Sequence, residues 1–181
     1  MAHQGFEMVR YADDFVILCR SPEEAAKALA LVQQWVAEAG LRLHPEKTKI
    51  IDAKDAAFDF LGYRFERGRR SPRPKSLQKL KDTIRAKTKR TSGESLTKII
   101  NDLTPQLRGW FEYFKHSRRY TLGRLDGWIR MRLRSLLRKR QGKTGRGRGS
   151  DHHRWPNKFF ADRGLYSLKT AHELACQSSL R

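Results

Sequence analysis

Residues 10–16 read RYADDFV, and their reading decides the fold. Two aspartates, Asp13 and Asp14, stand side by side behind a tyrosine and an alanine. Strand-forming residues flank them: FEMV (6–9) before and FVILC (15–19) after. This pattern predicts two short strands around a tight turn. Adjacent carboxylates at a hairpin tip repel one another and lose hydration when partly covered. A divalent cation that prefers hard oxygen ligands, such as Mg²⁺, offsets both costs. Asp is also an ordinary turn residue, so these letters alone leave a metal site and a plain polar turn both open.

Outward from the hairpin, residues 21–40 predict a helix. Ser21 suits the N-cap, Pro22 the first helical position, and Glu24 completes a capping box. Ala25, Leu29, Val32 and Val36 recur at helical spacing, and Gly40 sits where a C-terminal cap belongs. LRLHPEKTKIID (41–52) and AFDFLGYRFE (57–66) read as further strands, with Gly62 inside the last. The first module is therefore mixed α and β. Gly, Pro and Arg then replace periodic apolar residues in ERGRRSPRPKS (66–76), which marks a boundary.

Beyond the boundary every segment reads as helix. KSLQKLKDTIRAKTKR (75–90) puts Leu77, Leu80 and Ile84 on one face; ESLTKIINDL (94–103) does the same with Leu96, Ile99 and Leu103. Thr104-Pro105 reads as an N-cap opening a separate helix with Leu107, Trp110, Phe111 and Phe114. GRLDGWIRMRLRSLLRKR (123–140) carries Leu125, Trp128, Ile129, Leu133, Leu136 and Leu137. QGKTGRGRGSDHH (141–153) reads as a flexible basic loop. A short helix capped by Ser167 closes the chain. Such helices bury a shared core and turn Lys and Arg outward.

Charge separates the two modules. The 181 residues carry a net charge of +20. Residues 1–63 hold 7 Lys+Arg against 10 Asp+Glu, residues 64–150 hold 27 against 6, and residues 151–181 hold 5 against 3. So basic a helical module points to nucleic acid. The competing partner is an anionic membrane, which the Arg-rich helix 124–140 suits; neighbouring helices with apolar stripes favour a bundle instead. No apolar run approaches the roughly 18 residues of a spanning helix, and no N-terminal signal pattern is present, so no membrane partner and a cytoplasmic, bacterial-type location are expected. Cys19 and Cys176 belong to no paired motif, and adjacent His152 and His153 point apart, so zinc is not expected. Arg118, Arg119, Arg130, Arg132, Arg134, Arg138, Lys139 and Arg140 are the expected RNA face. Tyr113 and Trp155 are available for base stacking, whereas Trp110 and Trp128 sit at core spacing.

YADD between apolar strands resembles the YxDD hairpin of reverse transcriptases. GLRLHPEKTKI (40–50) and FDFLGYRF (58–65) are similar to the blocks that follow it, the second being the primer-grip hairpin. LRGWFEYFKHS (107–117), LDGWIRMRLR (125–134), KRQGK (139–143) and GLYSL (164–168) resemble the maturase-specific, or thumb, domain of group II intron proteins. Alanine at the variable position of YxDD fits intron and retron-like enzymes, and the maturase-like half then points to group II introns over retrons.

The resemblance implies an α+β chain in two parts. Residues 1–66 would be the end of a reverse-transcriptase palm, antiparallel strands plus a helix, and residues 67–181 an all-α basic thumb. It implies that Asp13 is a metal ligand, supported by Asp14, and that Tyr11 lies near the primer end. Lys47 falls in a block lining the nucleotide side, although a solvated Lys after a Pro turn reads equally well. Phe60, Leu61, Gly62 and Tyr63 correspond to the primer grip, where Gly admits close backbone approach.

The family palm uses a further Asp on an earlier strand, together with basic fingers, and only ten residues precede Tyr11. The expectation is a C-terminal part of a group II intron reverse transcriptase/maturase that does not polymerise alone and binds Mg²⁺ only when its palm is completed. The expected partners are group II intron RNA, a DNA target or template-primer, and a complementing N-terminal half. The alternatives are a stand-alone RNA-binding splicing factor and an inactive remnant of a mobile element.

Overall fold

The computed structural model describes residues 5–178. The chain divides into two compact units, Met1–Gly68 and Arg69–Arg181.

In the first unit β1 (Glu7–Tyr11) and β2 (Asp14–Leu18) form an antiparallel hairpin with Tyr11 opposite Asp14 and Arg10 opposite Phe15. Ala12 and Asp13 are thus the two-residue turn. Ala12 takes φ +52°, a left-handed conformation that a Cβ disfavours. The Arg10 Nε donates to the Ala12 carbonyl at 2.8 Å, which ties the turn to its own strand.

Helix α1 (Pro22–Glu38) follows as the sequence predicts. Ser21 Oγ accepts from the Glu24 N–H at 3.2 Å, and Glu24 Oε2 accepts from the N–H of Arg20 at 2.6 Å. Ala28, Val32 and Val36 are its buried residues; Ala25 and Leu29 are only half-buried. Gly40 ends the helix with φ +67°.

Two sequence expectations change here. Residues 41–57 contain no strand among the described residues. Pro45 lacks a ladder donor, and the N–H groups of Lys47 and Thr48 both turn back to the His44 carbonyl, at 3.2 and 3.0 Å. The segment 57–66 is not one continuous strand but the hairpin that the resemblance implies: β3 (Phe58–Phe60) pairs with β4 (Tyr63–Glu66). Leu61 and Gly62 form its turn, both with positive φ, +46° and +78°. Phe58 stacks on Phe65 across the pair, with ring centroids 5.1 Å apart.

The second unit opens with β5 (Arg69–Pro72) and is otherwise helical: α2 (Pro74–Lys87), α3 (Leu96–Phe114), α4 (Arg119–Arg140), α5 (Gly149–Arg154), α6 (Asn157–Ala161) and α7 (Leu168–Ser178). Its core joins Ile84 of α2, Leu103 and Leu107 of α3, Ile129 and Leu133 of α4, Phe160 of α6 and Leu168 of α7.

α3 corrects the expected break at Thr104-Pro105, since it runs unbroken with Pro105 inside. Proline forfeits one intrahelical hydrogen bond, but the apolar stripe Ile99–Leu103–Leu107–Phe111 continues through it at four-residue spacing, and all four are buried. Among the described residues Thr104 makes no local cap. Its hydroxyl donates to the Gly164 carbonyl at 2.9 Å and accepts from the Tyr166 N–H at 3.4 Å.

α4 lies at the centre. Leu133, Arg134, Ser135 and Leu136 are consecutive and all buried. At about 100° per residue, four successive positions reach around most of a helix, so this stretch is enclosed on all sides. Asp126 on α4 also fixes α7 across 41 residues of sequence: it accepts from Ser167 Oγ at 2.8 Å and from the N–H groups of Leu168 and Lys169, each at 3.0 Å. Those donors belong to the first turn of α7, where N–H groups otherwise lack partners. The strings LDGW and GLYS meet at this cap.

Candidate nucleic-acid interface

The carboxylate pair comes first. Asp13 and Asp14 are both exposed at the tip of the β1–β2 hairpin, as is Tyr11 at 67%. Their oxygens are the hard donors that Mg²⁺ takes. No group of three or more His, Cys, Asp or Glu able to hold a metal occurs among the described residues. Two carboxylates have the right chemistry for Mg²⁺ but too few ligands to hold it by themselves. Lys47 is exposed on the His44–Thr48 turn, while Phe60, Leu61, Gly62 and Tyr63 are half-buried at the tip of the β3–β4 hairpin. The two hairpins belong to separate sheets.

The helical unit sorts its cations into two kinds. Some hold the fold. Arg134 is 2% exposed; its Nε donates to the Trp155 carbonyl and its Nη2 to Asn157 Oδ1, both at 2.9 Å, and its guanidinium lies over the Phe160 ring at 5.2 Å. Burial, then the nearby Arg130, lowers its pKa. Arg138 bonds the Thr144 carbonyl at 2.7 Å and Asp151 at 3.0 Å. Arg132 is half-buried on Thr88, with Nε 2.7 Å from its hydroxyl. The Arg130 Nε is buried without a hydrogen-bond partner among the described residues. Arg134 is therefore misplaced in the expected RNA face, because the α5–α6 segment covers it. Trp155, at 6% exposure, is also removed from the stacking candidates.

Other cations are presented outward. Arg118, Arg119, Lys139 and Arg140 are exposed, with Arg119 paired to Glu173 of α7. Arg140 donates to the Glu94 carbonyl, bringing the end of α4 against the α2–α3 connection. The segment expected to be a flexible loop is fastened. The Lys143 N–H reaches the Arg138 carbonyl at 3.1 Å, and Arg90 reaches the Gly145 carbonyl at 3.4 Å. The Gly147 N–H donates to Ser135 Oγ at 3.1 Å. Asp151 accepts from the Arg148 N–H at 2.8 Å as α5 begins.

This loop exposes Lys143, Arg146 and Arg148, cations that the sequence reading passed over in favour of helix α4. The string GKTGRGRG was itself the signal. Among the described residues none of Lys139, Lys143, Arg146 and Arg148 forms an ion pair. Nearby, burial first, and then Arg85 and Arg90, lower the pKa of Arg132. Unpaired cations on a fixed backbone are suited to phosphates spaced along a nucleic acid strand.

Residues 77–155 match the family model for the group II intron, maturase-specific domain, and residues 1–65 match that for reverse transcriptase (RNA-dependent DNA polymerase). No curated protein matches the chain.

Proposed function

The chain belongs to the group II intron reverse transcriptase/maturase family, and on that premise we propose that its helical unit grips intron RNA to assist splicing. The maturase-specific domain implies binding of intron RNA. The observation that carries the reading is the fastened loop 141–148, whose exposed Lys143, Arg146 and Arg148 adjoin Lys139 and Arg140 at the end of α4. A pre-ordered cationic surface loses little conformational freedom on binding, so its phosphate contacts translate into affinity.

The test is salt-dependent binding of a group II intron RNA by the full chain. Replacing Lys139, Lys143 and Arg146 together by Gln should weaken binding and flatten the slope of log K against log salt by about two to three. Unchanged affinity and slope would remove this face. No described helix is long and apolar enough to cross a membrane, and a cytoplasmic, bacterial-type location is part of this proposal.

A second reading concerns the first unit. Met8, Val9, Tyr11 and Leu18 of the YADD hairpin are exposed at 38%, 48%, 67% and 50%, which suits a hairpin that works inside a larger palm. Reverse transcriptases use Mg²⁺. Asp13 and Asp14 would contribute to such a metal site once further palm strands, in this polypeptide or a complementing one, supply the remaining ligand. Template-primer would then meet Tyr11, Lys47 and the Phe60–Tyr63 turn. Primer extension by these 181 residues alone, abolished by Asp13→Asn, would overturn the need for completion.

A further inference from the structure

We propose that a groove between α2 and α4 receives one unpaired nucleotide of the bound RNA, its base on Tyr120 and its phosphate between Lys81 and Arg124; this rests on the RNA-binding reading above.

The groove encloses about 300 Å³ and is lined by Leu77 and Lys81 of α2 and by Tyr120, Arg124, Leu125 and Trp128 of α4. That volume lies at the small end of ligand pockets, which span about 300–1,000 Å³. Tyr120, Arg124 and Trp128 recur every four residues, so they share one face of α4. Leu77 and Lys81 do the same on α2.

Leu125 is buried, Leu77 and Trp128 are half-buried, and Tyr120 is 68% exposed. The lining therefore grades from apolar to an open aromatic ring. No acidic residue lines the groove. Lys81 and Arg124 form no ion pair among the described residues. The Arg124 guanidinium lies over the Tyr120 ring at 5.6 Å, and Arg85 and Arg132 lie 5.6 and 5.5 Å from the Trp128 ring centroid.

Such a site suits a flat group with apolar faces carried on an anion. An apolar protein side chain would satisfy Leu77 and Leu125 but leave Lys81 and Arg124 without a counter-charge. A paired base is held inside its own stack. An unpaired nucleotide meets every requirement, because its base has a free face for an aromatic ring and its phosphate is adjacent.

The test uses the full chain and two RNA hairpins, one with a single bulged 2-aminopurine and one fully paired. Wild type should bind the bulged RNA about tenfold more tightly, the scale of one base–aromatic stack, and quench its fluorescence. Tyr120→Ala should erase that margin and the quenching with the salt slope unchanged, since stacking releases no counterions. Tyr120→Phe should retain both. Lys81→Gln should weaken the bulged complex and lower its salt slope by about one. Equal binding of the two RNAs, no quenching and a silent Tyr120→Ala overturn the nucleotide site while leaving RNA binding intact; a groove that takes an apolar protein segment gives that result. Failure to bind either RNA overturns the RNA-binding reading and this site together.

Discussion

Arg138 of α4 and Asp151 of α5 form an ion pair of 3.0 Å whose side chains are only 16% and 5% exposed. The same aspartate oxygen accepts from the Arg148 N–H, and the same arginine holds the Thr144 carbonyl. One pair of side chains thus closes the loop that carries Lys143 and Arg146. A sequence reading that assigns Arg138 to the RNA misses this, because its partner lies 13 residues away on a helix of only 6 residues.

The pair makes the fold pH-sensitive in a stated direction. The Arg148 N–H, and then Arg138, hold the Asp151 carboxyl below the usual carboxylate range, against the opposing effect of burial. A depressed folded-state pKa gives stability that is fully present above the unfolded carboxyl value of about 3.9 and is lost as pH falls through the lower folded value. Asp151→Asn should therefore melt below wild type at neutral pH, and the gap should narrow as pH falls below about 3.9. Thermal melts across that range check it; a gap independent of pH would refute the assignment.

Gly147 makes a second, steric demand. A Cβ built there falls 2.8 Å from Arg134 Cβ, an atom fixed close to the α4 backbone and unable to swing aside. Gly147→Ala should cost about 1–3 kcal/mol, the usual range for overpacking, and should raise protease sensitivity in residues 141–148. Gly149→Ala, with nothing within 4 Å of its Cβ, is the control expected to be nearly silent. Denaturant melts of the pair separate a packing requirement from a general loss of glycine flexibility.

Asp126 anchors the other end of the same helix. It satisfies two N–H groups of α7 and one hydroxyl while 3% exposed. Asp126→Ala leaves those donors unmatched and should cost about 2–4 kcal/mol, combining a lost cap with buried polar groups. Asp126→Asn keeps one acceptor oxygen and should fall between. Hydrogen exchange at Leu168 and Lys169 should rise in both variants.

These sites mark what the sequence makes legible. Ser21, Pro22 and Glu24 announce α1 because a capping box is written within four residues. The YADD turn is equally local, and so are the apolar stripes of α2 and α4. Thr104-Pro105 misleads because a proline normally opens or ends a helix; only the stripe running from Ile99 to Phe111, with Gly164 to receive the threonine hydroxyl, keeps α3 continuous. The strand expected at 41–52 lacks a paired strand to hold it. Arg134 is illegible for a stronger reason. Its place on α4 is polar by pattern, and only the return of Trp155 and Phe160 from beyond the loop encloses it.

That last case yields the sharpest contrast. Arg134 and Arg146 carry equal charge within one basic stretch, but Arg134 is buried and Arg146 exposed. Arg134→Ala strips a charged donor from the Trp155 carbonyl and Asn157 and opens space beside Phe160. The loss should be about 2–4 kcal/mol, given roughly 1.5–3 for hydrogen bonds to charged groups plus lost packing. Arg134→Lys should recover little, because an ammonium cannot reproduce the fork that meets two acceptors. Arg146→Ala removes an exposed side chain and should leave the melting temperature within about one degree, while lowering RNA affinity and reducing the salt slope by about one. Parallel melts and salt-dependent RNA titrations on the two variants check the division. If Arg146→Ala unfolds the chain, or Arg134→Ala leaves stability intact while weakening RNA binding, the structural and RNA-facing roles assigned here are reversed.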